Sequence, residues 1–187
     1  MLEHCGTRIM ETDRLILRRF TIDDAQDFFD HWANDPEVTK YMTWKPHKNI
    51  EITQAVLALW LNAYEHADNY HWAIVLKEGT KLIGSISIMN IEDTYERSEV
   101  GYCLAKDYWN QGIMTEALKA VIDFGFARVG FNRIQACHYA ENPASGRVMV
   151  KAGMKYEGRF KQYLKDNQGR FVDCDIYAIV KDDFLGS

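Results

Sequence analysis

From Arg97 to Gly130 the chain sets out one uninterrupted unit: a strand, a short turn, a glycine and an amphipathic helix. The strand reads Arg97-Ser98-Glu99-Val100-Gly101-Tyr102-Cys103-Leu104, and the loop reads Tyr108-Trp109-Asn110-Gln111-Gly112. Met114, Ala117, Leu118, Val121 and Ile122 then keep helical spacing on one side, and Gly130 is a fitting C′ residue. A helix that starts on a glycine loop leaves its first N–H groups unpaired and points the positive end of its dipole at one spot. That layout suits an anion. A lone glycine at a helix start is also ordinary turn chemistry. The segment carries neither GxxxxGK[ST] nor GxGxxG, so it is neither of those nucleotide loops.

The flanking sequence supplies the remaining layers. Arg14 to Phe20 alternates as a strand, and Thr21 then reads as an N-cap with Asp23 and Asp24 in the first turn. Ala25, Phe28, Phe29 and Trp32 share a helical face. After a polar, proline-punctuated stretch, Ile52, Ala55, Val56, Leu59, Trp60 and Ala63 share another. Strands are expected over Tyr70 to Val75, Leu82 to Met89 and Phe131 to Tyr139. Asn142-Pro143 opens a short helix that stops at Gly153. Two last strands, Lys155 to Leu164 and Phe171 to Val180, flank the Asp166-Asn167-Gln168-Gly169 turn. The pattern predicts an α/β (α+β) fold with a mixed, mostly antiparallel sheet of about seven strands and about four helices. Locally parallel crossovers are expected on either side of the Phe131–Tyr139 strand.

At 187 residues, with no linker and no repeat, the chain is expected to form a single domain with its core over about 11–180. Its net charge of −5 argues against a general nucleic-acid binder and leaves room for a local basic site. Cys5, Cys103, Cys137 and Cys174 lack CxxC or metal-ligand spacing, so free thiols in a reducing cytoplasm and no metal are expected. No apolar run has the length of a signal core or a membrane span, so no membrane partner is expected.

Several motifs together resemble a known family. Gly101-Tyr102 through Tyr108-Trp109, Gly112 and Thr115-Glu116-Ala117-Leu118 is similar to a stretch of the Gcn5-related N-acetyltransferases (GNAT), in particular their RimJ/RimL-type branch. Glu11-Thr12-Asp13-Arg14-Leu15 matches the usual opening of that branch. Asn142-Pro143-Ala144-Ser145 and Lys151-Ala152-Gly153-Met154 match a later piece, so the resemblance spans nearly the whole chain. It implies a sheet splayed in the middle for acetyl-CoA. The cosubstrate pyrophosphate would lie on Gln111, Gly112, Met114 and Thr115. The family loop is [RQ]xxGx[GA]; Trp109 and Met114 depart from it, but the expected contacts are main-chain amides.

The resemblance also implies that pantetheine bonds the main chain of Tyr102, Cys103 and Leu104, with the Leu104 N–H polarising the thioester carbonyl. Asn142 would bond the pantetheine, cap the helix before Pro143, or both. Glu99 is the candidate base, acting through water; a surface charge paired with Arg97 or a lysine explains it equally. Many relatives carry a general-acid Tyr seven residues after the Asn, where this chain has Met149. Ser145 is the alternative near the sulfur, or a plain polar residue in a first helical turn. Trp44, Tyr70 and Trp72, with the loop from Tyr41, are the candidate acceptor wall; packing explains Trp44 as well. His71 and His138 read more readily as structural than as bases, and Arg147 and Lys151 as phosphate ligands or solvent-facing cations.

The implied activity is N-acetyl transfer from acetyl-CoA to a primary amine by direct attack, most simply a ribosomal-protein N-terminus. The alternatives are a small amine such as a polyamine, amino acid or aminoglycoside, or a non-catalytic acetyl-CoA sensor. A homodimer stays open.

Overall fold

A computed structural model describes residues 1–186. One eight-stranded sheet runs through it: β1 (Met10–Glu11), β2 (Leu15–Arg18), β3 (Tyr70–Leu76), β4 (Leu82–Glu92), β5 (Arg97–Leu104), β6 (Arg133–Tyr139), β7 (Lys155–Lys165) and β8 (Phe171–Val180). Their spatial order is β1-β2-β3-β4-β5-β6-β8-β7. Every neighbouring pair is antiparallel except β5 and β6. The extra strand, β1, is a two-residue edge too short for a periodic signal. The expected second parallel crossover is corrected: β7 runs in the same direction as β6, but β8 folds back between them and pairs with both.

Among the described residues six α-helices flank the sheet: α1 (Ala25–Phe28), α2 (Pro36–Thr39), α3 (Ile50–Ala63), α4 (Ile113–Phe124), α5 (Pro143–Lys151) and α6 (Lys181–Leu185). Two of them, α2 and α6, span one turn or little more and fall where sequence patterning is silent. Helix α2 starts on Asp35, whose carboxylate accepts from Glu37 N–H at 2.7 Å, with Pro36 in the first turn. Helix α4 packs Ile113, Met114, Ala117, Leu118, Val121 and Ile122 against Leu15, Leu17, Ile86 and Val100 on one sheet face. On the opposite face Phe20, Phe28, Trp32 and Leu57 pack with Ala73, Val75, Leu82 and Cys103. The buried line of α3 is Thr53 and Leu57, whereas Ile52 and Leu59, expected inside, are exposed. Ten of the fourteen residues of that helix are apolar, and they fall on more than one side, so hydrophobic spacing does not say which side turns inward.

Two local choices keep the centre of the sheet tight. A Cβ on Gly84 would stand 2.4 Å from the Cys103 carbonyl oxygen, so β4 can lie this close to β5 only with glycine there. His71 packs its ring 4.2 Å from Trp60 and 5.3 Å from Phe20. Burial lowers its pKa from the ordinary 6.5 to about 4. Between those values the unfolded chain binds the proton and the folded one does not. Stability is therefore complete above about pH 6.5 and falls as the pH drops towards about 4. Urea midpoints across that interval are expected to fall steadily, and His71→Phe is expected to flatten the slope. An equal slope in both proteins would count against this assignment.

Candidate active site

The parallel pair β5–β6 defines the site. It is registered only through Arg97↔Arg133, Ser98↔Ile134 and Glu99↔Gln135; beyond that the strands part. The Ala105 N–H bonds to the Ile83 carbonyl at 2.8 Å, so alternate residues of β5 bond towards β4. The intervening Tyr102 and Leu104 therefore turn their main-chain groups towards the split. The Leu104 carbonyl is taken by the Trp109 indole N–H at 2.8 Å. Its N–H lies on the open side, beside the Cys103 sulfur.

A cavity of about 430 Å³ fills this split. Its walls include Tyr102, Cys103 and Leu104 from β5, Gly112, Ile113, Met114 and Thr115 at the start of α4, and Asn142 and Ser145 at the start of α5. Gly112 takes φ 75°, and α4 begins without a side-chain cap. The first helical bond runs from Glu116 N–H to the Gly112 carbonyl, so the N–H groups just before Glu116 are free to meet a ligand. Arg147 and Lys151 add two cations to the same wall. Glu37 and Glu141 share the wall, so it is the uncapped helix start that favours an anion here.

Asn142 stands at the N-cap position of α5 but makes no side-chain capping bond, and it lines the cavity. The Ser145 hydroxyl lies 2.8 Å from the Tyr102 hydroxyl, which also lies 3.1 Å from the Ser145 carbonyl. Burial pushes the Tyr102 phenol far up, so it stays protonated and available as a donor. Met149 is buried in the core. A tyrosine hydroxyl does reach this neighbourhood, but from β5 rather than α5.

Glu99 lies outside the cavity wall, at the foot of the split, on the same face as Gly101 and Cys103. Its carboxylate accepts from the Gln135 amide at 3.3 Å and from the Cys137 thiol at 3.5 Å. Arg97 pairs instead with Glu92 through two bonds of 2.9 Å. The ion-pair reading of Glu99 with Arg97 is thereby set aside. Burial pushes the Cys103 thiol up to about 12 and the Cys137 thiol higher still, the latter with help from the Glu99 charge. Neither is a thiolate near neutral pH.

Three expectations need correction. Tyr70 and Trp72 are 1% and 0% exposed and pack under Phe124 of α4, so they are core and do not face the cavity. Trp44 packs beside His47 against the α1–α3 cluster, while its loop neighbours Tyr41 and Met42 line the cavity. Gln111 is turned away: its side chain donates to the Asp107 carbonyl at 2.7 Å and its own carbonyl accepts from Arg14. Sequence reasoning missed Glu37, Val38 and Tyr108 on the wall. Glu37 and Val38 lie in no recognised motif, and Tyr108, though inside the quoted one, carries no expected role there.

A split parallel pair beside an uncapped helix start offers main-chain groups along a groove and an anion site at its end, which fits the long, phosphate-tailed donor that the resemblance implies. The Acetyltransferase (GNAT) domain family matches residues 14–155. The chain belongs to this family, and it is an acetyl-CoA-dependent N-acetyltransferase. It is 34% identical over 173 residues to YoaA of Bacillus subtilis (strain 168), described as an uncharacterized N-acetyltransferase, covering 92% of this chain and 97% of that one. It is 25% identical to the [ribosomal protein uS5]-alanine N-acetyltransferase of Escherichia coli (strain K12), covering 94% and 92%. The crystal structure of an acetyltransferase (GNAT family) from Bacillus anthracis superposes with a TM-score of 0.81 at 26% identity, covering 94% and 99%.

Proposed function

We propose that this chain acetylates a protein N-terminal amine, of the ribosomal-protein type, by direct attack of the amine on acetyl-CoA. The observation that carries the direct route is the pairing at the foot of the split. The carboxylate of Glu99 has only neutral partners, while the neighbouring thiols are held protonated. A base is on hand and a covalent relay through cysteine is not.

In this reading the pyrophosphate rests on the N–H groups around Gly112, Met114 and Thr115, and pantetheine runs along Tyr102, Cys103 and Leu104 to Asn142. The Leu104 N–H steadies the oxyanion as the C–N bond forms. Glu99 takes the proton from the attacking nitrogen through water. As the C–S bond breaks, the Ser145 hydroxyl donates to the departing sulfur and is itself supported by the Tyr102 hydroxyl.

The likeness to the uS5-alanine enzyme over nearly the full chain supports a protein N-terminus as acceptor. So does the chemistry available. An α-amine, with a pKa of roughly 8, has a neutral fraction at pH 7 roughly two-hundredfold larger than that of a lysine-like amine near 10.4. One carboxylate acting through water suits the easier substrate. A turnover screen across N-terminal peptides, polyamines and aminoglycosides tests this. Peptides with a free α-amine are expected to give the highest kcat/KM. A polyamine or aminoglycoside turned over faster would replace the acceptor, and tight acetyl-CoA binding without turnover would favour a sensor.

A further inference from the structure

The loop before α4 is not held by its own residues alone. Asn110 and Gly112 both take positive φ, 60° and 75°, and the helix has no side-chain cap. Its outer side is gripped by the turn between β1 and β2, 102 positions away from Glu116 in sequence. The Thr12 hydroxyl donates to Glu116 Oε1 at 2.5 Å, and the Arg14 N–H donates to the same oxygen at 2.9 Å. Arg14 Nε donates to Glu116 Oε2 at 2.7 Å, which locks the guanidinium plane. From that fixed plane Arg14 Nη1 donates to the Gln111 carbonyl at 3.0 Å. Nη2 stands 3.6 Å from where a Cβ on Gly112 would be.

The Gln111 carbonyl is the group that matters. Across a planar trans peptide, the C=O of one residue and the N–H of the next point in opposite directions. Holding the Gln111 oxygen on the outer side therefore turns the Gly112 N–H inward, where Gly112 lines the cavity. If this peptide flipped, as its glycine permits, a carbonyl dipole would face the anion and one donor would be lost.

We propose that Arg14, held rigid by Thr12 and Glu116, is a positioning residue for acetyl-CoA: it pins the Gln111–Gly112 peptide so that the loop presents donors, and no carbonyl, to the pyrophosphate. This rests on the pyrophosphate lying at this loop. It ties a distant part of the chain to the loop before α4.

The test compares a donor with the pyrophosphate and one without it. Arg14→Gln and Arg14→Lys would be measured by calorimetry with CoA, and by kcat/KM with acetyl-CoA and with S-acetylpantetheine. Arg14→Gln is expected to weaken CoA binding roughly tenfold to a hundredfold, the loss typical of a charge-assisted hydrogen bond. S-acetylpantetheine turnover should stay at the wild-type value. Arg14→Lys restores charge but cannot bond Glu116 and the Gln111 carbonyl in one plane, so it is expected to recover only part of the loss. Wild-type CoA affinity in Arg14→Gln would overturn the proposal. Equal losses with both donors would also overturn it, because a merely structural residue would damage both. Full recovery with Lys would reduce Arg14 to a point charge and overturn the pinning. A wild-type protein that binds CoA no better than pantetheine would instead refute the loop assignment beneath it.

Discussion

Gly112→Asp is expected to lower acetyl-CoA affinity by roughly a thousandfold while leaving the fold intact. A carboxylate placed about 4 Å from a phosphate charge is opposed by about 4 kcal/mol at an effective dielectric constant of 20, and each 1.4 kcal/mol is a factor of ten. The same substitution is tolerable for the protein. Aspartate accepts a left-handed backbone better than most residues, and a negative charge at a helix start is favourable. Calorimetry with acetyl-CoA beside a thermal melt separates the two effects. Retained micromolar affinity in a folded variant would refute the assignment of the pyrophosphate to this loop.

Glu99→Gln is expected to lower kcat/KM at neutral pH by roughly a hundredfold, the lower end of what a positioned base contributes, with acetyl-CoA affinity near wild type. The variant keeps the shape of the side chain and loses only its ability to accept a proton. As the pH rises past roughly 8, more of an α-amine acceptor is neutral, so the deficit should narrow. A pH–rate profile of unchanged shape and height would remove Glu99 from the mechanism. Its separation from the cofactor cavity is what makes this a clean test: it touches Gln135 and Cys137, and none of the cavity-lining residues is among its hydrogen-bond partners.

What could be read from the sequence was whatever is local. The unit from Gly101 to Leu118 announces its strand, loop and helix because each part has its own periodicity. Gly130 does take the left-handed conformation, φ 87°, that a helix end asks of it. Asn142 and Ser145 fall on the cavity wall together because one short helix start carries both. Tyr70 and Trp72 were misread for a physical reason. A central strand covered by helices on both faces is apolar throughout, so alternation says that the two share a side but not which side. Tyr102 showed its main-chain place in the split, but its hydroxyl contact crosses 43 positions to Ser145. The grip of Arg14 on the Gln111 carbonyl spans 97 positions. Contacts of that kind leave no trace in spacing, because either partner alone looks like an ordinary surface residue.

The tip of the β7–β8 hairpin is not free. The Asn167 amide donates to the Thr39 carbonyl at 2.9 Å and approaches the Trp44 carbonyl at 3.4 Å. Thr39 ends α2, the helix that contributes Glu37 and Val38 to the cavity wall. A displacement of the hairpin by any acceptor must therefore either break that tether or drag the wall of the acetyl-CoA cavity with it. Thermodynamic reciprocity then requires the converse, that a filled cavity alters the affinity for the acceptor by the same factor. The two substrates of this enzyme would then meet as communicating ligands, coupled through the contacts of a single asparagine.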